Sequence, residues 1–288
     1  MPNYITNVVV FNNMSRQRFD ELQEKIRFDG EGFDEEIDKS VPTLDFNKLI
    51  PMPSDLDCDS GSMTDESISQ YLSVVNPNNH CITRPDLLEI RKKKKYSVED
   101  FRNLYDTIVY SERIYLPPEK VNRATNLLYD VVLLGEKYIY NLEHYGHLTW
   151  YQWCIDNWGT KWNSFHYNSY SGEERKIPCF VPENTPFIMF DTAWRSVPKI
   201  ITELSKLIPD IVIDYWWADE DIGCNVGHRT FLDGEITFED IPEKVSKEAY
   251  EMYANINCID LKDEGYIFNK EKGTYEWNNE DEEIEGVE

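Results

Sequence analysis

Residues 158–162, Trp-Gly-Thr-Lys-Trp, set two indoles around a glycine turn with a cation between them. Asp191 and Trp194 follow in a second apolar stretch, FIMFDTAW. If strands through these stretches pair, the indole faces could stack a planar ring, Lys161 could take a phosphate and Asp191 a hydroxyl. Trp158, Lys161, Trp162, Asp191 and Trp194 are therefore the candidate ligand-binding residues. The plainer reading is preferred: tryptophans that lock helix to sheet, because aromatic side chains carry much of a domain's packing energy, with Lys161 and Asp191 paired at the rim.

Asp219, Glu220 and Asp221 stand together ahead of Gly223, and Asn225 could add a fourth oxygen for a divalent cation. Neighbours on a strand point to opposite faces, so an acidic turn is expected instead. His144 and His147 are three apart, but Gly146 between them should end the helix; Cys224 and His228 lack a second pair of ligands. No metal site and no cofactor are expected. His166 and His228 read as hydrogen-bonded, partly buried histidines rather than general bases. The phosphate-binding G-x-x-x-x-G-K-[ST], the dinucleotide G-x-G-x-x-G, H-E-x-x-H and G-x-S-x-G are all absent from the sequence. No catalytic residue is assigned, and the chain leans away from being an enzyme.

The 288 residues hold 54 Asp and Glu against 29 Lys and Arg, a formal charge of −25. Such a chain repels phosphate backbones and anionic membranes. Residues 149–288 carry 29 of the acids and 12 of the bases. That half could bind a basic groove on a protein, including one that normally takes DNA, or could simply keep the chain soluble. Arg91 to Lys95 is the sole basic run, read as a solvated face ahead of a contact for an acidic partner or nucleic acid. No apolar stretch approaches the ~18 residues of a membrane span. The start has no basic-then-apolar leader. Six cysteines are widely spaced without a CxxC, so free thiols in a reducing cytoplasm are expected.

The elements that must position these residues follow from periodicity. Tyr4–Phe11 reads as a strand. Phe19, Leu22 and Ile26 form a helical stripe, and Leu44–Met52 looks extended. Residues 54–148 read as a helical insertion, with Ile68, Tyr71, Leu72 and Val75 on one helix, Phe101 to Ile108 on another and about 118–144 on a third. Thr149-x-x-Gln152 matches a capping box. Lys161–Tyr167 and Pro186–Trp194 read as strands. Pro198 opens a helix bearing Ile200, Ile201, Leu204 and Leu207. A strand over 211–217 presents large side chains on both faces, and a hairpin over 226–238 turns at Asp233-Gly234. A helix over 243–256 closes the pattern, and 280–288 reads as a disordered acidic tail. The order is α+β. A split βαβ sandwich accommodates it: an antiparallel-rich sheet with helices on one face, built from 1–53 and 149–240, with an extension over 241–279.

Five blocks, MPNYITN, FNKLIPMP, WYQWCIDNWGTKWNSF, FIMFDTAW and ADEDIGCNVG, in this order resemble the YubB-type ferredoxin-like proteins of phages, prophages and conjugative plasmids, a group that includes the phage Api-type proteins. The resemblance covers about 1–53 and 149–232. It implies a ferredoxin-like topology without an iron–sulfur cluster and a place in bacterial cytoplasm on mobile elements. The family brings no established activity and no catalytic residues. The function expected is an accessory, non-catalytic interaction module with an acidic surface, anti-defence action being a special case. The alternative is a small-ligand or nucleotide site at the Trp/Lys/Asp block.

Overall fold

The computed structural model describes residues 3–28, 40–75, 118–167, 169–170, 173–174 and 176–278. Residues 31–39, Arg91–Lys95, the helix expected at Phe101–Ile108 and the acidic tail expected over 280–288 lie outside them. The chain divides into two compact units, Met1–Pro51 with Cys154–Glu288, and Met52–Trp153.

In the first unit, β1 (Tyr4–Phe11) is followed by α1 (Arg16–Ile26) and one turn of helix, α2 (Phe46–Leu49). The second unit holds α3 (Ser62–Val75) and α4 (Pro118–Tyr145), and α5 (Trp150–Asn157) returns the chain to the first. There follow a two-residue hairpin, β2 (Ser169–Tyr170) with β3 (Glu173–Glu174), then β4 (Phe187–Ala193), α6 (Pro198–Leu207), β5 (Ile213–Asp219), β6 (Gly227–Leu232) and β7 (Glu235–Asp240). The chain ends with α7 (Lys247–Asn257) and a hairpin of β8 (Tyr266–Asn269) and β9 (Thr274–Trp277).

β1 is apolar on both faces. Ile5, Val8, Val9 and Phe11 are fully buried and Val10 is 3% exposed. A strand of this kind must lie inside a sheet, since either face in water would expose several large side chains. It pairs antiparallel with β4 on one side and β5 on the other. β4, α6 and β5 thus form a split βαβ unit with β1 between its strands. β6 and β7 extend the sheet beyond β5, in the order β4-β1-β5-β6-β7, with every pairing antiparallel. This is the α+β, ferredoxin-like arrangement that the sequence implied.

α1 and α6 cover one face. Ser15 caps α1 by accepting the Arg18 amide, and Phe19 meets Phe11 with ring centroids 5.2 Å apart. α6 buries Ile200, Ile201 and Leu204 completely. Its first amide is satisfied from the sheet: the Tyr215 hydroxyl accepts from Val197 N at 2.8 Å and donates to Asn7 Oδ1 at 2.6 Å. The opposite face is not bare. Val8, Val10, Met189 and Ala218 pack with Ala249, Met252 and Ile256 of α7. Apolar residues on both faces of β1 and β5 require this second cover, which adds a helix to the face expected to have none.

Two expected strands have other conformations. Leu44–Met52 is not extended: Asp45 accepts the Asn47 amide and starts the helical turn of α2, and Pro51 bars its continuation. Lys161–Tyr167 is a run of bends with a single bridge, Phe165 to Asp191. Side chains take the place of the ladder. Thr160 Oγ1 donates to Ala193 O and accepts from Ala193 N, and Asn163 Oδ1 accepts from both Phe46 N and Ser164 N. Short polar side chains that bond the backbone in this way compete with strand formation.

In the second unit α3 and α4 pack closely. A Cβ on Gly135 would lie 2.2 Å from the Ser67 carbonyl, so only glycine fits there. Ile68, Tyr71, Tyr138 and Ile139 are buried. Asn141 Nδ2 donates to Asp55 O and Leu148 O, tying both ends of the unit to α4. Among the described residues no helix is long and apolar enough to cross a membrane.

Candidate functional site

The five candidate residues separate into an inner and an outer set. Trp158 is 3% exposed; its Nε1 donates to Ile50 O at 2.8 Å, and its ring meets Phe46 edge-on. It joins the end of α5 to α2. Asp191, on β4, is 1% exposed, and its carboxylate accepts from Thr6 Oγ1 at 3.3 Å and meets His166 Nδ1 at 3.0 Å. The His166 ring thus reaches the Asp191 carboxylate. His166 sits at φ 52°, a left-handed conformation fixed by the bridge of its neighbour Phe165 to Asp191. The outer set does converge: Lys161 Nζ lies 4.4 Å from the centroid of the Trp162 ring and 5.3 Å from that of Trp194. Trp194 is exposed. A cation between two indole faces is stabilised by their quadrupoles.

The acidic turn satisfies itself with amides. Asp219 accepts from Asn3 Nδ2, Asn225 Nδ2 and the Asp221 amide, and Asp221 accepts from Asn3 Nδ2. Among the described residues no three His, Cys, Asp or Glu side chains gather as a metal would require. His144 Nδ1 bonds Tyr140 O, and His147 Nδ1 bonds Tyr145 O, each holding the end of α4.

The surface that sequence reasoning missed lies at the far edge of the sheet. On the face shared with α7, aromatic rings form a ladder across the strands. Phe180 meets Trp216 at 4.7 Å between centroids, Trp216 stacks on His228 at 3.6 Å with 4° between planes, and His228 meets Phe238 of β7 at 5.4 Å. Below the ladder, Asp214 accepts from His228 Nε2 (3.0 Å), Thr230 Oγ1 (2.8 Å) and Asn12 Nδ2 (2.6 Å). Burial pushes the Asp214 carboxyl up, but the bonds from His228, Asn12 and Thr230 outweigh it and hold the group below the usual carboxylate range.

β7 is the outer strand, and all six of its residues are exposed. Phe238 is 52% exposed, and Ile236 and Ile241 are nearly as open. Residues 233–243 hold five acids and no Lys or Arg. Glu239 is paired with Arg229 of β6, which leaves Glu235 and Asp240 as further charges along the strand. The sequence predicted the hairpin and its Asp233-Gly234 turn; it carried no signal that β7 would be last in the order. A groove of about 590 Å³ lies between α7 and the β8–β9 hairpin, lined by Glu251, Asp260, Tyr266, Phe268 and Tyr275 among others.

Residues 166–284 match the family model described as the ferredoxin-like domain in Api92-like protein. The C-terminal part of this chain is similar to that domain. The match runs through α7 and the β8–β9 hairpin, beyond the reach of the sequence resemblance. It begins after β1, the strand that lies between β4 and β5. A crystal structure of the protein api92 from Yersinia pseudotuberculosis aligns over 84% of this chain and 99% of its own length, at 12% identity and a TM-score of 0.34. No curated protein matches the chain.

Proposed function

We propose that the protein is a non-catalytic interaction module of the Api92-like kind, an accessory protein of a phage, prophage or plasmid in bacterial cytoplasm. It docks an extended basic segment of a partner protein along β7. The observation that carries this reading is the chemistry of that strand: an exposed sheet edge with Phe238 and Ile236 among Glu235, Glu239 and Asp240. A sheet edge offers backbone donors and acceptors to an added strand, and side chains on the two faces select which strand binds. Five acids without a base over 233–243 set the sign of the partner. A partner with a basic surface, from host or phage, fits the charge; imitation of DNA against a host defence protein is the special case. Nucleic acid and anionic membrane are repelled.

The test is an amide NMR titration with a synthetic peptide of alternating Lys and Val. Shifts should concentrate on residues 228–241, and affinity should fall roughly tenfold or more as salt shortens the Debye length from ~30 to ~8 Å. Glu235→Lys with Asp240→Lys should abolish binding. Binding indifferent to salt and to that pair of replacements, or no shift on β7, overturns the reading.

The alternative, a small-ligand or nucleotide site at Trp158, Lys161, Trp162, Asp191 and Trp194, has in its favour the Lys161 ammonium between two indoles. ATP binding lost in Lys161→Ala at an unchanged melting temperature would support it.

A further inference from the structure

Cys258 ends α7 in a left-handed conformation, φ 53° and ψ 45°. Helices ordinarily place Gly or Asn in that conformation, since a Cβ there crowds the backbone. Here a cysteine occupies it, and its thiol has a specific neighbour. Cys258 Sγ lies 3.6 Å from Cys179 Sγ and 3.2 Å from Ile177 O. Cys179 is exposed, in a tight turn closed by Val181 N donating to Pro178 O. Of the other described cysteines, Cys154 is buried, and Cys58 and Cys224 are half-buried, as Cys258 is.

We propose that Cys179 and Cys258 are a redox-active pair that closes to a disulfide by exchange with a small-molecule disulfide of the glutathione type. The exposed Cys179 thiolate attacks one sulfur of the small disulfide, forming a mixed disulfide and releasing one small thiolate. Cys258, after losing its proton to solvent, attacks the Cys179 sulfur and expels the second small thiolate. Both released thiolates take up protons, so two protein thiols become one disulfide and one small disulfide becomes two thiols. The order of attack follows from exposure, which gives Cys179 the better access, and from burial, which pushes the Cys258 thiol up.

The bond would fasten the turn holding Cys179 to the end of α7. That turn carries Phe180 and Val181, which pack on the apolar layer under α7, and Phe180 is the inner rung of the aromatic ladder. Closure across a long intervening chain restricts the unfolded state.

The experiment incubates the full-length reduced protein with oxidised glutathione and reads intact mass and non-reducing peptide maps. The expected result is the loss of two hydrogens and a linked peptide joining Cys179 to Cys258. The melting temperature should rise by roughly 5–10 °C. Cys179→Ser, at an exposed position, should retain the fold and lose both the linkage and the rise. Persistent single glutathione adducts, a linkage through Cys58 or Cys224, or a rise that survives in Cys179→Ser would each overturn the proposal.

Discussion

Removing β1 should unfold the first unit even though the family match begins well after it. Five of the strand's side chains, Ile5, Val8, Val9, Val10 and Phe11, are at most 3% exposed. At ~1.5–3 kcal/mol for each large apolar side chain buried, the strand contributes roughly 7–15 kcal/mol. A whole domain is stable by about 5–15 kcal/mol. The loss is therefore of the order of the total, before counting the ladders with β4 and β5 that β1 alone joins. The assay is urea unfolding of a chain starting at Asn12, followed by tryptophan fluorescence and far-UV circular dichroism. No cooperative transition should remain from the sheet, and a synthetic peptide of residues 3–11 should restore it in part. Ile5→Ala in the full chain gives a graded control, with a loss of ~2–5 kcal/mol. A truncated chain that unfolds cooperatively at an unchanged midpoint would refute the reasoning.

Tyr215→Phe leaves the buried Asn7 Oδ1 and Val197 N without their partner, and chemical denaturation should show a loss of roughly 2–6 kcal/mol at ~1–3 kcal/mol for each group. Gly227→Ala places a Cβ 2.1 Å from the Trp217 indole, so the midpoint should fall by the equivalent of ~1–3 kcal/mol, with a change in near-UV dichroism from the displaced ring. Asp214 has its carboxyl held down in the folded state, so the unfolded chain takes up its proton first on acidification. Its stabilisation is present above the ordinary carboxylate pKa and is lost as pH falls through the lowered folded value. Asp214→Asn should therefore flatten the acid limb of a stability–pH curve, and an unchanged limb would count against the His228, Asn12 and Thr230 bonds. The Arg18 guanidinium holds the Asp210 carboxyl down at about 2, and NMR titration should find it back in the usual range in Arg18→Ala.

The parts of the fold legible in the sequence are those whose cause is local. β1, α1, α6, β5 and the β6–β7 hairpin announce themselves through periodicity, a proline in a first turn or a paired Asp-Gly. His166 and His228, expected as hydrogen-bonded histidines of strand-like segments, bond Asp191 and Asp214, though only His228 lies on a strand. The failures have distant causes. Leu44–Met52 turns helical through the Asp45 cap and an Asn163 side chain that accepts from Phe46 N. The inward Trp158 agrees with the packing reading preferred from the sequence, but its partner Ile50 O could not be read from any spacing within 150–165. The outer place of β7 depends on strand order, and the meeting of Cys179 with Cys258 depends on where α7 crosses the sheet. Both are properties of the assembled sheet.

Hydrogen exchange along β7, measured with and without the alternating Lys/Val peptide, tests the docking edge most directly. The account predicts that outward-facing amides within Glu235–Asp240 slow markedly on binding, while those already bonded to β6 change little. Unaltered exchange along β7 at saturating peptide, or protection that appears only elsewhere on the sheet, would contradict it.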